Sequence, residues 1–173
     1  MAETETAQSR TDFLRSLRAV REFKKTAVPD DALRDILEVG RWSGSAGNQQ
    51  GAEIVVIKDP KTLNTIAGLE GFVHHLAGAA LGLLIVMPGQ WAEGDAFDEG
   101  RLAERIMLAA AAHGLGSSIG WLTGSGREAG RRLLNVPEGR TVRTVISIGY
   151  PATAARRGIR KPLDSIVHSE KYS

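Results

Sequence analysis

Cysteine is absent from all 173 residues of the chain. That excludes disulfides, thiolate nucleophiles and cysteine-ligated metals, and it fits a reducing cytoplasm. Long hydrophobic runs are missing too. The longest, LAGAALGLLIVMPG, holds only about a dozen residues before Pro88, against the roughly 20 that a membrane span needs. The opening MAETETAQSR is polar and lacks the apolar centre of a signal peptide. An excess of one charge is also lacking: 22 Lys and Arg face 20 Asp and Glu, and a net +2 does not mark an obligate nucleic-acid binder. What is left is a soluble, cytoplasmic chain of average composition, 42% hydrophobic and 24% charged, long enough to bury a core. Residues 1–10 read as a flexible tail and 11–173 as a single domain without internal repeats.

Nucleophilic and metal chemistry find little support. There is no GxSxG, and His74, His75, His113 and His168 stand in no Ser/Asp pattern. His74 and His75 are adjacent and cannot share one side of a helix. Asp95, Asp98, Glu99 and Glu104 gather where a helix is expected to start, and acids there favour the macrodipole. Gly124 to Ala129 spells GxGxxA before a helix, but the following strand offers no acid for a ribose, so it reads as a glycine turn. No catalytic side chain and no metal ligand is assigned.

The periodicity predicts two N-terminal helices, TDFLRSLRAVREF with Phe13, Leu14, Leu17 and Val20 on one face, and DDALRDILEVGRW. Strands are expected at Glu53–Lys58, Ala80–Met87, SSIGWL and TVRTVISIGYP. A long helix should run from Glu99 to His113, preceded by a polar link, GQWAEGDAFDEG. Short helices are expected after Asp59, at GFVHHLAGA and at GREAGRRLL. This is an α+β or α/β pattern with about four strands and about five helices.

Three polar features remain. Arg18 and Arg21 fall three apart at the expected end of the first helix. Arg156, Arg157, Arg160 and Lys161 form a basic cluster near the C-terminus. Between them, SGSAGNQQGAE (residues 43–53) puts Ser43, Ser45, Asn48, Gln49 and Gln50 in a loop that needs only a few residues. Cations for a phosphate, with amides and hydroxyls for a polyol or heterocycle, suit a nucleotide-like ligand that brings its own chemistry.

The order and spacing of these stretches resemble the FMN-dependent nitroreductase family. Arg18-Ala19-Val20-Arg21-Glu22-Phe23 is similar to its R-x-[ST]-V-R-x-F motif, and Gly44 to Ala52 to its A-P-S-x-x-N-x-Q-P-W loop. LAAAAHGLGSSIGW, the strand ending in IGYP, and RKPLDSIVHSEKY match its later signatures. The resemblance covers residues 11 to 172. It implies an α+β sandwich with a mostly antiparallel, four- to five-stranded sheet flanked by helices. It further implies a domain-exchanged homodimer with FMN at the subunit interface. Arg18, Ala19, Arg21 and Arg160 would surround the phosphate and ribityl oxygens, with Ser45, Asn48 and Gln50 supplied by the partner chain. Gly120 and Trp121 would face the flavin N5/O4 edge, and His75 the pyrimidine edge. NADH or NADPH would be the reductant, and a nitroaromatic or quinone the acceptor, in a ping-pong cycle. A non-catalytic FMN-binding protein, or a specialised flavoprotein of the same fold, is the alternative. Ala19 in place of Ser or Thr, Gly51-Ala52 in place of Pro-Trp, and a short insert before the long helix depart from the family pattern and imply a more open substrate side.

Overall fold

The computed structural model describes residues 6–155 and 158–172. Arg156 and Arg157 of the basic cluster lie outside the described residues. Four strands, β1 (Glu53–Ile57), β2 (Leu81–Met87), β3 (Gly116–Trp121) and β4 (Thr141–Gly149), form one sheet in the order β1-β2-β4-β3, and every pairing is antiparallel. The register sets Val55 opposite Leu84, Leu83 opposite Ile146, and Ile119 opposite Ile146. Every residue of β2 is buried, which is why its sequence is an unbroken apolar run and not an alternating one.

Side chains alternate across the sheet plane and divide the core in two. Leu83, Ile85, Ile146 and Ile148 face helices α2 (Asp30–Arg41) and α4 (Ala92–Ala112), where they meet Leu33, Ile36, Leu102 and Ile106. Leu84, Val86 and Val145 face the other way, toward Leu63 and Ile66 of α3 (Pro60–Ala67) and Leu122 before α5 (Gly124–Leu133). Each fully buried Ile or Leu stabilises this sandwich by roughly 1.5–3 kcal/mol. Gly40 of α2 lets that helix close on α4, since a Cβ there would come within 3.3 Å of Ile106 and Leu102. Among the described residues no helix is long and apolar enough to cross a membrane.

Two expected elements are different in the structure. Helix α1 (Ala7–Ser16) is capped by the Thr6 side chain, which accepts from the Ser9 amide, and it buries no residue. It begins four residues before Thr11 and ends well short of Phe23. From Leu17 (ψ 130°) the chain is extended. Val20 donates its amide to Ser117 O (2.8 Å), and Lys24 donates to Tyr150 O (2.8 Å). Tertiary pairing overrides helical periodicity here. Val20 packs onto Gly116, where a Cβ would lie 2.6 Å away, and Phe23 packs onto Gly149 at 3.0 Å.

The second difference is α4, which starts at Ala92 and absorbs most of the segment expected as a polar link. Its first turns are masked in the sequence by Gly94 and Gly100. Gly94 is needed because a side chain would strike the Trp91 ring at 2.1 Å. Of the acids expected at a helix start, Asp95 lies in the first turn of α4, whereas Asp98, Glu99 and Glu104 sit further along it, and Asp98 and Glu99 hold specific partners described below.

Candidate functional site

Arg18 follows the end of α1, and its Nη1 donates to Arg15 O and Leu17 O, both at 2.7 Å. These bonds satisfy carbonyls that the helix end leaves free. Its Nε is buried and has no partner. Arg18, Ala19 and Arg160 line one cavity of about 570 Å³, together with Leu14, Glu104 and Met107. Among the described residues neither Arg18, Arg21 nor Arg160 has a carboxylate ion-pair partner. Two arginines far apart in sequence, Arg18 and Arg160, are thus brought to one place.

Arg21 corrects the helical expectation. It does not sit beside Arg18 on a helix surface, because three residues apart on an extended chain means opposite faces. It lines a separate cavity with Ala19, Glu22 and Thr153, and its charge reaches His75. His75 lies in a 3₁₀ turn, His74–Gly78. Burial first, and then Arg21, hold the imidazole below its ordinary pKa of 6.5, so the neutral ring is favoured. The Ser147 hydroxyl donates to Ser118 O (3.3 Å) and accepts from His75 Nδ1 (2.7 Å). That arrangement puts the proton on Nδ1 and leaves Nε2 as a buried lone pair without a partner. Ser117 Oγ and Ser118 Oγ on β3 are buried and unpartnered as well. Gly120 closes this corner: a Cβ there would meet His75 Nε2 at 3.2 Å and Val73 Cγ1 at 3.1 Å.

Trp121 is half-exposed beside Gly120. Its Nε1 donates to Thr144 Oγ1 (3.2 Å), and the Arg143 guanidinium sits 5.5 Å over its ring. Arg143 is held in turn by Glu99, only 3% exposed, through its Nη2 and through Nε at 3.0 Å. The Thr144 amide donates to the other Glu99 oxygen at 3.0 Å. Sequence reading missed this network by treating Glu99 as a helix-start acid. The available signal was its spacing, because Glu99, Leu102, Ala103 and Ile106 fall at i, i+3, i+4 and i+7, on the buried stripe.

Ser45, Asn48 and Gln50 form a third group, away from the arginine cavity. A 3₁₀ turn, Ala46–Asn48, carries Gly47 (φ 57°), Asn48 (φ 55°) and, just beyond it, Gln50 (φ 53°) in the left-handed region. Two non-glycine exceptions within three residues, Asn48 and Gln50, are costly and mark a loop held for a purpose. Ser45 Oγ accepts from the Gln50 amide (2.8 Å), and Asp98 on α4 accepts from the Ala46 amide (3.0 Å). Ser45 thus shapes the loop, while the exposed Asn48 and Gln50 side chains point their amides outward with few internal bonds. The GxGxxA turn has an internal occupant: the Glu70 carboxylate accepts from Ser125 N (3.0 Å) and Ser125 Oγ (2.8 Å) at the start of α5.

The class of protein follows from the fold: an antiparallel four-stranded α+β sandwich with a cationic cavity between its N- and C-terminal segments. An FMN-dependent nitroreductase from Clostridium difficile shares this fold with a TM-score of 0.84 at 24% identity, covering 92% of this chain and 98% of that one. An NADH dehydrogenase of Thermus thermophilus is 27% identical over 190 aligned residues, 87% of this chain and 90% of that protein. The NADPH-flavin oxidoreductase of Vibrio harveyi is 26% identical over 171 residues, 90% of this chain and 71% of that protein. The family model described as the nitroreductase family matches residues 14–80.

Proposed function

We propose that this protein is an FMN-dependent oxidoreductase that takes electrons from NADH or NADPH and delivers them to a nitroaromatic or a quinone. The observation that carries the reading is the placing of Arg18 and Arg160 on one cavity where, among the described residues, neither forms an ion pair, although Glu104 also lines it. The residues present fit the cofactor in a second respect: the buried Arg18 Nε and His75 Nε2 lack partners, and Gly120 leaves no room for a side chain beside His75. When bound, FMN supplies the hydride and electron transfer, which agrees with the absence of a nucleophilic triad.

In this reading Arg18 and Arg160 hold the phosphate through charge-assisted hydrogen bonds, and Arg21 supplies a further cation nearby. Ala19 brings no hydroxyl, so that part of the contact falls to main-chain groups. Neutral His75 offers an acceptor at Nε2, and the Gly120-Trp121 main chain lies along the reacting edge. Glu99 and Arg143 fix the Trp121 ring from behind. Ser45, Asn48 and Gln50 belong to the site of a second copy, so the functional unit is a homodimer with the cofactor at the interface. The cysteine-free composition fits work in a reducing cytoplasm.

Absorbance tests this directly. Purified protein should be yellow or turn yellow with FMN, bleach with NADH or NADPH, and regain colour on adding a quinone. Failure to take up FMN at all would sink the reading. A yellow protein that neither reductant bleaches would reduce it to flavin binding without this electron donor.

A further inference from the structure

A cavity of about 290 Å³ opens between α5, the N-terminal half of α4 and the start of β4. Four arginines line it: Arg127 and Arg131 from α5, Arg140 just before β4, and Arg143 from β4 itself. Three of the four are spent on carboxylates. Arg131 pairs with Glu128 (2.7 Å), Arg140 with Glu53 (2.8 Å), and Arg143 with Glu99. Arg127 forms no ion pair among the described residues. Its hydrogen bond runs from Nε to Leu122 O (3.1 Å), which leaves both terminal nitrogens of the guanidinium as spare donors.

The acids of the lining are engaged elsewhere. Glu99 holds Arg143 and the Thr144 amide, Glu128 holds Arg131 and Arg132, and Asp95 accepts from the Gly89 amide (2.7 Å). Nor is the N-terminus of α5 open, because Glu70 already takes the Ser125 amide and hydroxyl. The unspent group of this cavity is therefore a cation, and an anchored one. Its bond to Leu122 O ties Arg127 to the residue after Trp121, and the Arg143 guanidinium lies 5.5 Å over the Trp121 ring. The cavity thus begins beside the Gly120-Trp121 main chain that the flavin reading places along the reacting edge. Two parallel donors of a guanidinium suit a phosphate group, whose oxygens accept both at once.

We infer that Arg127 selects NADPH over NADH by binding the phosphate on the 2′-oxygen of the adenosine ribose. NADH carries a neutral hydroxyl there, so this one group separates the two nucleotides. The inference rests on the flavin reading for the place of the nicotinamide, and it adds the residue that decides which reductant is taken. In this arrangement Arg127 contacts neither the flavin nor the transferred hydride, so it sets specificity and takes no part in the chemistry. Arg131, Arg140 and Arg143 stay with their carboxylates and keep the cavity walls in place.

Flavin reduction by NADPH and by NADH, followed in the FMN-loaded full-length protein, is the first test. KM for NADPH should lie at least about tenfold below KM for NADH, the worth of charge-assisted hydrogen bonds to one phosphate. Arg127→Ala should raise KM for NADPH by about ten- to a hundredfold with little change in kcat, the mark of lost uniform binding. Arg127→Lys should recover part of that loss, since it keeps the charge and gives up the fork. Calorimetry adds a readout without turnover. Adenosine 2′,5′-bisphosphate should bind at least about tenfold more tightly than 5′-AMP, and Arg127→Ala should erase the difference. Equal KM values for the two reductants in the parent, or an Arg127→Ala loss shared equally by NADH, would overturn the inference. If neither nucleotide reduces the flavin, the function proposed above fails, and the calorimetric difference alone decides for or against a 2′-phosphate site at Arg127.

Discussion

Arg143 and Arg18 are both half-buried near helix α4, yet their guanidinium groups meet different company. Arg143 finds Glu99, a carboxylate with a side chain only 4% exposed, and the Thr144 amide completes that carboxylate's bonding. Arg18 finds only the carbonyls of Arg15 and Leu17, keeps an unpartnered Nε, and shares its cavity with another unpaired cation, Arg160. The first arrangement is complete and shapes the ground behind Trp121. The second is incomplete: among the described residues neither cation forms an ion pair, and Glu104 is the one carboxylate that shares their cavity. Burial alone does not separate an arginine that builds the fold from one that serves a ligand. The state of its partners does.

If the distinction is sound, breaking the complete arrangement should damage the fold. Glu99→Ala leaves Arg143 partly buried with no counter-charge and removes the acceptor of the Thr144 amide. We expect a loss of about 3–5 kcal/mol, read from urea unfolding. Replacing both partners by apolar residues, Glu99→Leu with Arg143→Met, should recover much of that loss, because the penalty comes from the orphaned charge. A Glu99→Ala variant as stable as the parent would erase the contrast.

The opposite pattern is expected at Arg18. Arg18→Gln should leave unfolding stability within about 0.5 kcal/mol of the parent, since its bonds are to exposed helix-end carbonyls. FMN affinity, measured by quenching of flavin fluorescence, should fall by about ten- to a hundredfold, the worth of charge-assisted hydrogen bonds. Loss of stability without loss of affinity would make Arg18 another Arg143.

Most of the sheet was legible in the sequence, for a physical reason. A strand buried on two faces is apolar along its length, as LGLLIVM is, and TVRTVISIG announces itself by its β-branched residues. What escaped depended on partners far away in the chain. Nothing local in LRAVREF says that Val20 will pair with Ser117, and helical spacing of Leu17 and Val20 pointed the wrong way. The start of α4 was hidden by Gly94, a residue kept for contact with Trp91 and poor for a helix on its own. Of the site residues, Arg18, Ala19 and Arg160 were named from the family resemblance and share a cavity. Glu99 was read as a helix-start acid although its spacing placed it among Leu102 and Ile106.

His75 gives the smallest effect and the finest test, since it lies between the two arginine environments. Its ring is bonded like a structural residue at Nδ1 and left open like a ligand residue at Nε2. Burial, and then the Arg21 charge, depress its pKa in the folded protein below 6.5, with His74 adding a little and the main chain at Phe72 and Ile119 opposing part. In the unfolded chain the ring takes its proton near 6.5. The unfolded state therefore binds more protons just below that pH, so stability rises with pH there. The contribution is complete above 6.5 and is lost as pH falls toward the folded value. His75→Gln, which can still donate to Ser147, should flatten the dependence of unfolding free energy between about pH 7 and pH 5.5. The three remaining histidines are present in both proteins, so the difference isolates His75. An unchanged slope would mean the ring already charges freely in the folded state, and Nε2 would then be a donor instead of the acceptor assigned to it. Saturating the protein with FMN should steepen the slope in the parent and leave the variant unaffected if that acceptor is used.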